Sequence, residues 1–356
     1  MLYAGDRHFG CRFLEVTLYG LRTLILENEL LRVTLLLDKG TDIVSFLHKP
    51  TDVDFAWHNP MGLSCLRKIA AFPPDADALS DNYPGGFFEI LPNVGGPCCF
   101  AGKSYPGNGE VAYLPWEYQV ERDTPEELRL RLFVRLSKLP MRLEKTLILK
   151  SRVGSLFMEE TLYNLGETPV RYQWGHHPNL GAPFLDADCQ IDLPGGPVNM
   201  LAGGERATAG DTGMWPLVHG RSGEVDFSRM PPPGGMTNEL LHVEMKEPWA
   251  AVRSPHTGMG IGFAWDGAAF PSAALWMSAG HLTGHHHHGG AYVLCVLPKN
   301  TRTMGLAAAA EAGEAPQLGG GGSTQAFLTI TAFPAVGPVK AVRRDGTVEY
   351  GDTVGI

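Results

Sequence analysis

Residues 128–136 read Leu-Arg-Leu-Arg-Leu-Phe-Val-Arg-Leu, with apolar and charged residues alternating from the first position. A period of two sends the leucines to one face and the arginines to the other, the pattern of a β-strand with one wet face. Residues 142–150 repeat it, with Leu143, Leu147 and Leu149 on one parity and Lys145 interrupting the apolar row. Further short β-rich runs occupy 23–26, 31–37, 156–163 and 327–333. Turn residues punctuate them: Asp38-Lys39-Gly40, Asn164-Leu165-Gly166 and Arg344-Asp345-Gly346. Only the alanine-rich stretch 303–312 reads as a helix, with Gly313 to end it. Strands and helices do not alternate, which rules against a parallel α/β sheet, and no internal repeat is visible. The expectation is an all-β fold, a large antiparallel β-sandwich.

Two stretches are loop-like by composition. Residues 194–235 are rich in Gly and Pro, and Gly319 to Gly322 form a run of four glycines that reads as a turn between strands. Neither marks a domain boundary, so residues 1–356 are expected to form one domain. The chain has 356 residues, a formal net charge of -9, 19% charged and 44% hydrophobic residues, an ordinary globular profile with length enough for a large core. An acidic balance speaks against nucleic acid and anionic membrane as partners, since both need a basic face. Six cysteines without a CxxC pair, no basic-then-apolar leader, and no run of about 18 apolar residues give the expectation of a cytoplasmic protein with reduced thiols.

Three segments carry a more specific signal. The first is Leu26-Glu27-Asn28-Glu29-Leu30-Leu31-Arg32-Val33 followed by Asp38-Lys39-Gly40-Thr41-Asp42-Ile43. The second is Gly85-Gly86-Phe87-Phe88-Glu89-Ile90-Leu91-Pro92-Asn93, then Gly109-Glu110 and Pro115-Trp116. The third is Trp174-Gly175-His176-His177-Pro178-Asn179-Leu180-Gly181. In this order, with Ala274-Leu275-Trp276 and 292–298 behind them, they resemble the aldose 1-epimerase (galactose mutarotase) family, in its less characterised bacterial branch. The likeness covers about residues 11–335. It implies a galactose mutarotase-like supersandwich and exchange of the anomers of a free aldose, a small-molecule sugar, by acid/base catalysis with no cofactor and no metal.

Carried over by position, the family's acid histidine falls on His177, which precedes Pro178. The family's second, sugar-holding histidine falls on Asn108, and its glutamate base falls on Leu297, which cannot take a proton. His176 is expected as a supporting catalytic residue, or as facing away from the site if the segment is extended. Glu89 and Glu110, in Gly-rich surroundings, are candidates for sugar hydroxyls or for the missing base, against the plainer reading of turn-stabilising carboxylates. Trp174 and Trp276 are candidate stacking faces, against a core role. Lys299 is a candidate for an anionic group on the sugar. The four histidines at 285–288 read first as a solvated loop, with site lining or metal binding as alternatives. The departures at Asn108 and Leu297 keep two other functions open: a sugar-binding homologue without chemistry, and a lyase or isomerase acting on a modified sugar. The extension 336–356 either covers a sheet edge or contacts a second copy in a homodimer.

Overall fold

A computed structural model describes residues 9–60, 62–63, 83–234, 237–280 and 291–351. The histidines at 285–288 lie outside the described residues. The strand pattern of the sequence is realised as two large sheets whose ladders are antiparallel throughout. Leu128 to Leu136 supplies the strand Glu127–Arg135, whose leucines are buried and whose arginines face outward. It sits in an eight-stranded sheet between Glu117–Asp123 and Met141–Lys150. The same sheet continues through Ser155–Asn164, Ser323–Pro334, Met259–Trp265, Trp249–Ser254 and Gln190–Asp192.

The second sheet has fourteen strands and begins with the meander Arg12–Leu18, Leu21–Glu27, Leu31–Leu36 and Asp42–His48. Its centre is formed by Phe87–Ile90, Gly175–Leu180, Tyr292–Lys299, Ser272–Ala279 and Thr237–Val243, in that lateral order. The stretch 194–235, loop-like by composition, folds differently from that reading. It contributes four short strands, among them Pro197–Ala202 and Leu217–Gly220, to the far edge of this sheet. Glycine and proline punctuate these strands so closely that no run is long enough to show a period.

The main core lies between the two sheets, where Leu130, Leu143, Leu147, Phe263, Leu275, Val296 and Ile330 are all buried. A smaller apolar cluster covers the opposite face of the fourteen-stranded sheet: Trp57, Tyr83, Phe88, Ala274, Cys295 and Leu297, with Trp276 packed against it. This second cluster means that the central strands are buried on both sides, and their burial is nearly continuous rather than alternating. The helix is shorter than expected, Leu306–Glu311. The glycine run forms the turn before Ser323–Pro334, pinned by Asn164 Nδ2 donating to the carbonyls of Leu318 (3.0 Å) and Gly319 (3.1 Å). The C-terminal hairpin Val339–Val342 and Val348–Tyr350 packs on Trp249, Ala251 and Phe333 of the eight-stranded sheet. No described helix is long and apolar enough to cross a membrane, and the five described cysteines are free thiols.

Candidate functional site

The strand Gly175–Leu180 carries both histidines, and extended backbone sends neighbouring side chains to opposite faces. His176 pairs with Glu89 across the ladder, and His177 pairs with Phe88. Paired residues share a face, so the strand divides the candidate residues into two groups. Gly175 permits the close approach of the next strand, since a Cβ there would lie 2.6 Å from the Pro298 carbonyl oxygen.

The core-side group is a buried charge cluster. Glu89 accepts hydrogen bonds from Lys145 Nζ (2.7 Å) and Trp174 Nε1 (2.7 Å). His176 Nε2 lies 2.9 Å from Glu160 Oε2. Lys145 rests over the Trp116 ring at 4.5 Å, and a cavity of about 20 Å³, the size of one water, adjoins Glu89, Lys145 and His176. The ligating atoms of Glu89, Glu160 and His176 lie within 4.8 Å of one another, a spacing that suits a metal ion. The Lys145 ammonium already supplies a cation at Glu89, however. One proton shared between Glu160 and His176 then balances the remaining charge. Glu89, His176 and Trp174 therefore sit inside the sandwich, on the other side of the sheet from His177. Lys145, which broke the apolar row in the sequence, is the counter-ion of Glu89.

The shared proton has a thermodynamic consequence. Burial and the Glu89 charge raise the Glu160 pKa. Burial alone would lower that of His176, but Glu160 and Glu89 outweigh it and raise it. Both shifts favour the proton-bound form in the folded chain, so above the ordinary histidine range the folded state holds a proton that the unfolded chain has released. Stability should then fall as pH rises, by up to about 1.4 kcal/mol per pH unit, until the proton leaves. Urea titrations between about pH 6.5 and 8.5 should show this slope in the wild type and a flatter one in Glu160→Gln, whose amide needs no proton.

The other face carries His177. Its ring stacks on Phe88 at 4.5 Å with an interplanar angle of 14°, and Trp276 lies 5.8 Å away. The Trp276 indole is oriented by Asn238, which accepts its N–H at 2.7 Å. Cys295 Sγ lies 3.3 Å from His177 Nδ1. Burial keeps the Cys295 pKa well above the usual thiol range, so the sulfur keeps its proton, and a thiol that donates it to Nδ1 leaves the proton of the neutral ring on Nε2. Burial also pushes the His177 pKa down to about 4, which makes the ring neutral at physiological pH.

Leu297 is brought beside His177. The pairs Gly175 with Lys299 and Asn179 with Cys295 bracket the two residues symmetrically, and Leu297 pairs onward with Ala274. Lys299 is fully buried, and its amine donates to the carbonyls of Thr301 (2.6 Å) and Arg302 (2.9 Å) and weakly to Ser272 Oγ (3.4 Å). Burial lowers its pKa to about 8. Glu110 accepts the backbone N–H groups of Ser137 and Lys138, each at 2.9 Å. Asn108 exchanges hydrogen bonds with Gly95, through its side-chain oxygen (2.8 Å) and its backbone N–H (2.7 Å). These three side chains hold loops and strand ends together. Of the residues singled out in the sequence, His177 and Trp276 share this face in contact.

The face also holds residues that the sequence did not flag. Tyr83 packs edge-on against Phe88 at 5.5 Å, and its hydroxyl is buried with no partner among the described residues. The same is true of Asn179 Oδ1, Ser278 Oγ and His242 Nε2. The ladder pairings set all three on the side of the sheet that carries His177 and Trp276. Buried polar atoms are usually satisfied, so four orphans on one face of one sheet point to a partner rich in hydrogen-bonding groups.

Residues 19–332 match the family model described as a domain of unknown function, DUF4432. No curated protein matches the sequence. Solved structures match in fold. A Klebsiella pneumoniae subsp. pneumoniae protein provisionally assigned as an aldose 1-epimerase aligns at a TM-score of 0.71 and 16% identity, over 91% of this chain and 87% of that one. A galactose mutarotase related enzyme from Lactobacillus acidophilus aligns at 0.58 and 14% identity, over 90% of this chain and 100% of that one. A galactose mutarotase-like protein from Clostridium acetobutylicum aligns at 0.59 and 9% identity, over 91% and 99%. At such identities the likeness establishes the architecture.

Proposed function

The chain belongs to the DUF4432 family and has a galactose mutarotase-like fold, and on that premise we propose that it binds a monosaccharide on the His177 face and exchanges its anomers. The observation that carries this reading is the grouping of orphaned polar atoms around a neutral histidine and two aromatic rings. Aromatic faces suit the apolar face of a sugar ring, and unpartnered Tyr83, Asn179 and Ser278 suit its hydroxyls.

The chemistry follows from the protonation state. In mutarotation the C1–O5 bond breaks as the anomeric hydroxyl loses its proton, and the electron pair that leaves C1 settles on the ring oxygen. A charged imidazolium is scarce here, because a pKa of about 4 leaves roughly one ring in a thousand protonated at pH 7. The abundant form is a neutral ring with N–H on Nε2. Such a ring acts by hydrogen bonding to the oxygen on which negative charge develops. Water takes the proton from the anomeric hydroxyl and returns one to the ring oxygen, so ring opening leaves no net charge, and the reverse transfers close the ring on the other face.

Anomer exchange followed by NMR tests this. With glucose, galactose, xylose and an acidic sugar as substrates, one or more should exchange faster with the protein present. The enzyme-dependent rate should stay level between about pH 6 and 8 and decline as pH falls through about 4, as the neutral form is lost. A rate that instead dropped about tenfold per unit above pH 5 would assign the work to the imidazolium and overturn this mechanism.

The apolar Leu297 beside His177 favours a second reading, a sugar-binding homologue without chemistry. It predicts saturable sugar binding with no change in the exchange rate at any pH.

A further inference from the structure

His242 lies on the same face as His177, three strands away. The ladder pairs Phe88 with His177, Leu297 with Ala274, and Ala274 with His242, and the bracketing pairs set Leu297 opposite His177. One row therefore crosses the sheet in the order Phe88, His177, Leu297, Ala274, His242. Three strand spacings separate the two histidines, about 14 Å between backbones, and only the apolar side chains of Leu297 and Ala274 stand between them. Leu297 and Ala274 are 2% and 0% exposed and belong to the smaller apolar cluster, so a sugar ring seated between the two histidines displaces part of the packing above them.

His242 Nδ1 lies 3.0 Å from the Ala273 carbonyl oxygen. A carbonyl can only accept, so Nδ1 carries the ring proton and Nε2 offers a lone pair. The residue is 4% exposed, and Nε2 has no partner among the described residues. Lys299 approaches it electrostatically, but that amine already donates to Ser272, Thr301 and Arg302. Burial, with Lys299 and Arg302 adding to it, keeps the ring uncharged, its pKa near 4. A buried, neutral, unsatisfied acceptor at the end of an apolar floor is complementary to one O–H group.

Resting on the sugar-binding reading above, we propose that His242 is the far wall of the site and selects the substrate by accepting one ring hydroxyl at Nε2. The neutral donor at His177 and the neutral acceptor at His242 then grip opposite ends of the ring. A sugar lacking the hydroxyl, or carrying a carboxylate or phosphate in its place, leaves Nε2 facing a group that cannot donate.

His242→Phe fills the volume and removes the acceptor, and His242→Gln returns an amide oxygen near the position of Nε2. Both are measured beside wild type, with kcat and KM for anomer exchange on an accepted sugar and on its monodeoxy analogues, and with Kd by calorimetry. Wild type should lose roughly 10–100-fold in KM on one monodeoxy analogue, a range typical of an unsatisfied buried group. His242→Phe should show that loss on the parent sugar, with kcat little changed and no further penalty on that analogue. His242→Gln should recover much of it. A folded His242→Phe protein with wild-type KM and the wild-type deoxy pattern overturns the assignment. If exchange is absent in wild type but the same pattern appears in Kd, the subsite stands and the anomer-exchange activity falls. If wild type binds none of these sugars, both fall. Should His242→Phe not fold, nitrogen NMR of the wild-type histidines decides: sugar must move the unprotonated Nε2 signal of His242, and no movement at saturation overturns the proposal.

Discussion

Replacing Lys145 by Met is expected to destabilise the fold by about 3–5 kcal/mol, as breaking a buried pair does. Lys145 and Glu89 are 5% and 2% exposed, and their charged atoms lie 2.7 Å apart. Methionine preserves much of the length and the contact with Trp116. It removes the cation from a cluster whose other members are Glu89, Glu160 and His176. The Glu89 pKa, which burial alone would raise, is held below the usual range by Lys145 and His176. Without Lys145, one carboxylate must either remain charged in the core or capture a proton from neutral water, and both routes cost stability. Urea unfolding at pH 7 should show a lower midpoint at unchanged slope, since the surface exposed on unfolding is the same. The double variant Lys145→Met with Glu89→Gln removes both charges and should regain most of the loss. A single-variant loss below about 1 kcal/mol, of the size seen for exposed pairs, would mean that the ammonium is solvated rather than buried.

The same lysine shows what the sequence can and cannot reveal. Strands 127–135 and 141–150 are legible because each has one wet face, so the period of two survives in the residue order. Lys145 falls on the buried parity and looks like a flaw in that pattern. Its partner Glu89 lies 56 positions earlier on the other sheet, and no local reading connects them. The central strands Ser272–Ala279 and Tyr292–Lys299 lack alternation because apolar clusters cover both of their faces. That is also why Leu297, Ala274 and Cys295 read as ordinary core. Aromatic and charged residues drew attention in the sequence, yet Trp174, Glu89, Glu110 and Lys299 all have internal partners. His242 and Tyr83 belong to no motif. What distinguishes them is an unpaired atom, a property that exists only after the chain has folded. The only sequence clue to the division of His176 from His177 was their adjacency in an extended segment.

His177→Ala is expected to lower kcat/KM for anomer exchange by roughly 10²–10⁴-fold, the range for a positioned proton-transfer or hydrogen-bonding group. The site explains why the effect should be concentrated there. Leu297, beside it, has no proton to give or take, and Glu89 and His176 lie across the sheet. The His177 ring is packed against Phe88 and Trp276, so the thermal midpoint is measured beside the rate to separate loss of a group at the site from loss of the fold. A second substitution separates the two ways a histidine can act. His177→Gln carries an amide N–H near the place of Nε2 but cannot shuttle a proton. If the neutral ring works as a hydrogen-bond donor to the ring oxygen, Gln should retain more activity than Ala by about tenfold or more. If charge passes through the ring, Gln and Ala should be equally poor, and the pH profile of the wild type should carry the imidazolium signature as well. Cys295 supplies the internal check. Its Sγ lies 3.3 Å from Nδ1; on the proposed mechanism the thiol donates there and holds the ring proton on Nε2, so Cys295→Ala should free the ring to adopt the other tautomer. That variant should lose part of the rate while the pKa of His177 stays depressed, because the depression comes from burial. A Cys295→Ala protein as active as wild type would show that the tautomer is set elsewhere, and the donor role assigned to Nε2 would have to be abandoned.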